Sequence, residues 1–187
     1  MSLWTGFLQA VFAIPLVVKK TLGTGYTNPA WKDFADKFQP MALKMEAATG
    51  IPWRFALIQA GHESRHGESR LAIEARNLFG FTGDSWYTAG KPVYWIETRE
   101  VGKDGMAFNI KRPFRKYDSW EESLTDWAGL LERKYPAALA AARAGDFNGF
   151  AKGLEAGGYA SDRDPKTKEL VYAKKLIQLK ESLEGIA

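Results

Sequence analysis

The chain has 187 residues, 45% hydrophobic and 26% charged, the proportions of one folded domain; a disordered, collagen-like or multi-spanning membrane protein is excluded. Lys and Arg (26) exceed Asp and Glu (22) for a net charge of +4, which favours an anionic partner such as nucleic acid, lipid head groups or bacterial cell wall, and no dense basic block singles out nucleic acid. With no cysteine there is no disulfide, thiolate nucleophile or Cys-based metal site. Aromatic residues reach 13%, and several fall outside any helical stripe, which suits a groove that stacks flat rings such as sugars.

The first element in chain order is an uncharged run of 16 residues, Leu3 to Val18. A secretory signal carries basic residues before its apolar stretch and a cleavage site after it, whereas Lys19 and Lys20 follow this one. Broken by Gly6 and Pro15, the run is also shorter than the ~20 residues that span a bilayer. The expectation is an apolar helix or hairpin packed on the domain or on a partner. Gly23 to Pro29 reads as a linker ending in a helix start, with Thr27 or Asn28 as cap, so residues 1–28 form a segment and linker and 29–187 the folded domain.

From Trp31 to Ala48, apolar residues recur every three or four positions, with Pro40 as a kink or restart. Gly50 closes this helix and Pro52 opens another, on which Phe55, Ile58, Gln59 and His62 share a face. A Gly-rich loop at Gly80 to Gly90 precedes a strand over Pro92 to Val101, a turn at Lys103 and Asp104, and a return strand over Met106 to Lys111. Helical periodicity then resumes from Trp120, in Pro136 to Ala144, in Phe147 to Ala156 and in Lys168 to Leu183. The order of helices, hairpin and helices predicts a mainly helical α+β domain without internal repeats.

His62-Glu63-Ser64-Arg65-His66 matches H-E-x-x-H, in which two imidazoles one helical turn apart grip Zn²⁺ and the Glu activates its water. These are the only two histidines in the chain. Gly67 would end the helix at the second ligand, and Glu97 or Glu100 would have to complete the site. The other reading takes Glu63 as a carboxyl at a helix end in an aromatic groove, where burial raises its pKa and suits it to protonate a glycosidic oxygen.

Six segments, read together, decide between these. They are Gly50-Ile51-Pro52; IQAGHESRHG around Glu63; Asn77-Leu78-Phe79-Gly80; Thr98-Arg99-Glu100; Phe114-Arg115-Lys116-Tyr117-Asp118-Ser119; and Ala156-Gly157-Gly158-Tyr159-Ala160-Ser161-Asp162. Over about Pro29 to Leu183 the chain resembles the glucosaminidases of glycoside hydrolase family 73. Its second to sixth pieces stand in the order of the family's A-Q-A-x-L-E-[ST]-x-W-G, N-L-F-G, T-x-E, F-R-x-Y-x-S and A-G-Y-A-[ST]-D. It departs in having His62 for an aliphatic residue, Arg65 for a frequent Gly, His66 for the usual Trp, and one extra Gly before Tyr159.

The resemblance implies a lysozyme-like helical core with a small β-hairpin lobe flanking a cleft, and hydrolysis of a β-1,4 bond of peptidoglycan on the N-acetylglucosaminyl side, without metal or cofactor. Glu63 matches the general acid and Glu100 the second carboxylate. Strand alternation puts Glu100 on the face of Tyr94, Ile96 and Thr98, and Glu97 on the other. Tyr159 matches a cleft tyrosine near the acid, Asn77 and Phe79 match groove-wall residues, and Phe81, Trp86, Tyr94 and His66 complete the expected substrate contacts. A lytic transglycosylase or muramidase on the same core, a zinc peptidase and a non-catalytic wall-binding module are the alternatives. Work on the wall or in the periplasm without a secretory signal implies delivery by a phage, a lysis system or a secretion machine, with residues 3–18 as the contact.

Overall fold

The computed structural model describes residues 29–83, 90–101 and 106–183, the side chains of 98–101, 107 and 108 excepted. The expected cap at Thr27 or Asn28, the segment 3–18 and Trp86 lie outside them.

Helix α1 (Pro29–Thr49) buries Trp31, Phe34, Phe38, Ala42 and Met45, spaced as a helical stripe requires. It runs through Pro40 without a restart, because Pro40 is on the exposed side, where water can satisfy the carbonyl that loses its donor. Gly50, at φ 72°, closes the helix and donates to the Glu46 carbonyl. Helix α2 (Trp53–Ser64) is buried on nearly every side, not on the single face its sequence suggests, because the other helices pack around it. It lies so close to α1 that a Cβ on Gly61 would stand 2.2 Å from the Trp31 ring.

After Ser64 the backbone turns sharply, with Arg65, His66 and Gly67 all at positive φ. Two non-glycine residues in this region cost about 1–2 kcal/mol each. Ser64 offsets part of that cost: its hydroxyl donates to the Ala60 carbonyl at 2.6 Å and accepts from the Gly67 N–H at 2.7 Å. A short helix, α3 (Arg70–Glu74), follows, capped by the Ser69 hydroxyl.

Strands β1 (Val93–Val101) and β2 (Ala107–Arg115) form a two-stranded antiparallel hairpin, with Val93 opposite Arg115 and Glu100 opposite Phe108. The return strand runs past the expected Lys111, since Pro113 costs only a donor on the edge away from β1, where its carbonyl still accepts from the Gly83 N–H. The hairpin is rooted in a small cluster of Leu71, Ala75 and Phe114, with Tyr94 and Ile96 against it.

Helix α4 (Trp120–Lys134) is capped by Ser119, and Glu122 reaches back to the Asp118 N–H. Helices α5 (Pro136–Arg143), α6 (Phe147–Ala156) and α7 (Tyr172–Ser182) complete the body. The last begins at Tyr172, not Lys168: Asp164 accepts from the N–H groups of Lys166 and Thr167, Lys168 sits at φ 61°, and Arg163 pairs with Leu170. One core joins α1, α2, α4, α5, α6 and α7. No helix among the described residues is long and apolar enough to cross a membrane.

Candidate active site

Glu63 is the penultimate residue of α2 and only 6% exposed. Its Oε1 accepts from Tyr172 Oη at 2.6 Å, and Tyr172, the first residue of α7, is itself buried. Gln59, one turn earlier on α2, donates from Nε2 to Tyr172 Oη at 2.9 Å, and its Oε1 accepts from Trp127 Nε1 of α4 at 2.9 Å. Three helices thus converge on one carboxyl. Burial pushes the Glu63 pKa up to about 7, with nearby Asp162 adding to the rise while the Tyr172 bond and Lys175 oppose it. Such a carboxyl is protonated at mildly acidic pH and can donate.

Tyr159 is buried with its ring stacked on Tyr172, centroids 5.4 Å apart and planes at 29°. Its hydroxyl lies near Gln59 yet makes no hydrogen bond of acceptable geometry among the described residues. Gly158, the extra glycine, takes φ 77° at the end of α6 and lets Tyr159 N–H donate to Leu154. Asp162 pairs with Lys175 at 2.6 Å. Burial, and then Lys175, lower the His62 pKa to about 4, so this imidazole is neutral at physiological pH.

The zinc-like spacing is not realised as a two-histidine grip. His62 lies on α2 with its ring 5.9 Å from that of Tyr172, whereas His66 follows the left-handed corner and packs edge-on against Trp31 at 4.7 Å. An i, i+4 pair requires a helix through both residues, and α2 stops between them. No cluster of three or more potential ligands occurs among the described residues.

Other expected contacts fall in different places. Phe79 is fully buried, stacked on Trp127 at 5.4 Å and Phe81 at 5.5 Å, so it is core and not groove wall. Asn77 is 1% exposed; its Nδ2 donates to the carbonyls of Phe81 and Arg115 and its Oδ1 accepts from the Phe81 N–H, which ties the loop to the end of β2. Arg115 and Tyr117 both bind Asp126 of α4, at 2.6 and 2.7 Å. Two of the sequence motifs therefore form the joint between hairpin and helical body. Tyr94 binds the Glu74 carboxylate, and the Arg70 guanidinium lies over its ring. Phe81 and His66 are partly exposed. Glu97 is exposed, and Glu100 holds its place on β1 with its side chain outside the described residues.

Sequence reading missed Tyr172 and Trp127 as site residues and placed Gln59 only on a helical face. The available signal was Gln59 itself, an amide one turn before the acid in an apolar helix, where a buried polar group needs partners. A cavity of about 650 Å³ lies away from Glu63, between α1, α2 and the ends of α6 and α7, with Trp31, Trp53 and Phe147 in its wall.

A helical body with a two-stranded hairpin lobe is the architecture of the lysozyme-like glycoside hydrolases, and among the described residues Glu63 is its buried carboxyl. The family model described as glucosaminidase, mannosyl-glycoprotein endo-beta-N-acetylglucosaminidase, matches residues 39–185, and the chain belongs to this family, family 73 of the glycoside hydrolases. Peptidoglycan hydrolase FlgJ of Escherichia coli K12 is 30% identical over 184 residues, covering 94% of this chain and 55% of that protein. Exo-glucosaminidase LytG of Bacillus subtilis is 39% identical over 115 residues, covering 58% and 38%. The chain thus spans about half the length of the curated relatives it matches, or less. A C-terminally truncated glycoside hydrolase domain of Salmonella typhimurium FlgJ superposes with a TM-score of 0.65 at 31% identity, over 84% of this chain and 99% of that one. The catalytic domain of the Listeria monocytogenes autolysin Auto reaches 0.66 at 24%, over 88% and 89%, which supports the fold.

Proposed function

We propose that this chain hydrolyses the β-1,4 glycosidic bond of bacterial peptidoglycan on the N-acetylglucosaminyl side, with Glu63 as general acid. The observation that carries the reading is the buried Glu63 carboxyl, hydrogen-bonded to Tyr172 and raised to about 7. Glu63 gives its proton to the glycosidic oxygen, the C–O bond breaks with its electron pair passing to that oxygen, and positive charge develops on the sugar ring. Water completes the hydrolysis. Glu100, on the hairpin, is the second carboxylate in this reading; at about 5 Å from Glu63 it acts as nucleophile, at about 6.5–9.5 Å as base for the water, and the substrate's N-acetyl group is the third route. Asn77 and Tyr94 act by holding the hairpin root, while Phe81 and Trp86 supply ring contacts to sugar.

Family membership and the relatives named as peptidoglycan hydrolases support this substrate. The enzyme acts in the periplasm or wall and is delivered by a phage, a lysis system or a secretion machine, with residues 3–18 as the delivery contact. Mass spectrometry of digested peptidoglycan tests the bond: reducing-end N-acetylglucosamine is expected. Reducing-end N-acetylmuramic acid would make it a muramidase, and anhydro-muramyl ends a lytic transglycosylase.

A further inference from the structure

The hydrogen bonds behind Glu63 have a direction. Indole Nε1 of Trp127 can only donate, so the Gln59 atom facing it is the carbonyl oxygen and the amide nitrogen is turned to Tyr172. That nitrogen can also only donate, so it takes a lone pair of Tyr172 Oη. The single hydroxyl proton of Tyr172 is left for Glu63 Oε1 at 2.6 Å. A reversed chain would set an indole N–H against an amide N–H. The acid proton cannot share the Oε1 contact, since two hydrogens would then lie between oxygens 2.6 Å apart. Glu63 is 6% exposed, and the Tyr172 bond to Oε1 is the side-chain hydrogen bond of its carboxyl among the described residues, which leaves Oε2 as the oxygen that Tyr172 does not engage. The ring of Tyr159 stacks on Tyr172 and the ring of His62 meets it edge-on, which holds the hydroxyl in line.

We propose that Trp127, Gln59 and Tyr172 form a one-way hydrogen-bond chain that places the catalytic proton of Glu63 on Oε2, the oxygen that Tyr172 does not engage, so that Gln59 and Tyr172 are positioning residues for proton delivery. This rests on Glu63 being the acid. The leaving oxygen must then approach Oε2, and Tyr172 does not itself exchange the proton with substrate.

The test uses full-length Tyr172→Phe and Gln59→Met, with circular dichroism to confirm folding. Each is assayed for kcat and KM on solubilised glycan strands as a function of pH, and by infrared difference spectroscopy of the protonated carboxyl, assigned with Glu63→Gln. Tyr172→Phe is expected to lower kcat roughly tenfold with KM within about twofold. Its basic limb moves up by about one pH unit because the carboxylate loses a donor. Its C=O stretch rises in frequency because the carbonyl oxygen loses that same bond. Gln59→Met shifts both in the same direction by less. A folded Tyr172→Phe with the wild-type limb and stretch overturns the proposal; should that variant not fold, Gln59→Met decides by the same readouts. An active Glu63→Gln overturns the acid reading and with it the catalytic sense of the chain, whereas the infrared shift needs no turnover and still decides where the proton sits.

Discussion

Tyr172 Oη and Glu63 Oε1 meet at 2.6 Å across 109 positions of sequence, so the acid on α2 and the first turn of α7 are held as one unit. The bond favours the ionised carboxyl, yet burial outweighs it and lifts the group to about 7. In the proposed mechanism the same balance sets both activity and stability.

Glu63→Gln is expected to abolish lysis, because general acid catalysis is commonly worth ~10² to 10⁴ in rate. Muropeptide release measures the loss, and retention of more than a tenth of wild-type turnover would remove Glu63 from the acid role.

The same variant has a stability signature. Below pH 4.5 the carboxyl is protonated in both states; from 4.5 to about 7 the folded protein keeps a proton that the unfolded chain releases, so its contribution to stability is lost as pH rises through about 7. Ionising this buried group costs the wild type on the order of 3 kcal/mol. Glu63→Gln should therefore gain in denaturant midpoint over wild type between mildly acidic and mildly basic pH. A difference that does not change with pH would contradict the raised pKa.

Activity should fall with a basic limb centred near pH 7, where Glu63 loses its proton. His62, already lowered to about 4, does not titrate in this window. His62→Gln is thus expected to leave the basic limb in place, as a pH profile of kcat/KM would show.

Asn77→Ala strips partners from the Phe81 N–H and from the Phe81 and Arg115 carbonyls. A loss of about 2–4 kcal/mol is expected from leaving such groups unpaired, measured by urea unfolding. Hydrolysis should fall as well, because the root of the hairpin loosens.

Deleting residues 1–22 should spare the digestion of purified sacculi, since Glu63, Tyr172, Gln59 and Trp127 lie beyond the deleted stretch. Loss of partner binding or of cell killing by the truncated protein is the expected cost. Unchanged killing and binding would show that residues 3–18 have no delivery role.

The helical stripe of α1 was readable because Trp31, Phe34, Phe38, Ala42 and Met45 are bound by a local period. Glu63 was readable because its neighbours in sequence resemble a family motif. The chain behind it was not: Trp127 lies 68 residues from Gln59, and Tyr172 lies 113 from it, and no local pattern encodes such pairs. Phe79 misled for the opposite reason, because an aromatic ring in a signature segment looks the same in sequence whether it packs on Trp127 or meets sugar. The H-E-x-x-H spacing could be set aside only by the neighbouring segments, because letters record spacing and not the backbone angles of Arg65 and His66.

The joint made by Asn77, Arg115, Tyr117 and Asp126 gives Glu63 and Glu100, the two carboxylates of the proposed mechanism, different mechanical standing. Glu63 is anchored inside the helical body, while Glu100 is carried seven residues beyond Val93, opposite Arg115 at the root, a lever of about 23 Å at strand rise. A rotation of about 5° at that root displaces Glu100 by about 2 Å on the same rise, comparable to the difference between nucleophile and base separations. In the proposed mechanism the helical body is a fixed jaw and the hairpin a long-armed one, and a change at Asp126 is expected to retune the gap between them without touching either carboxylate.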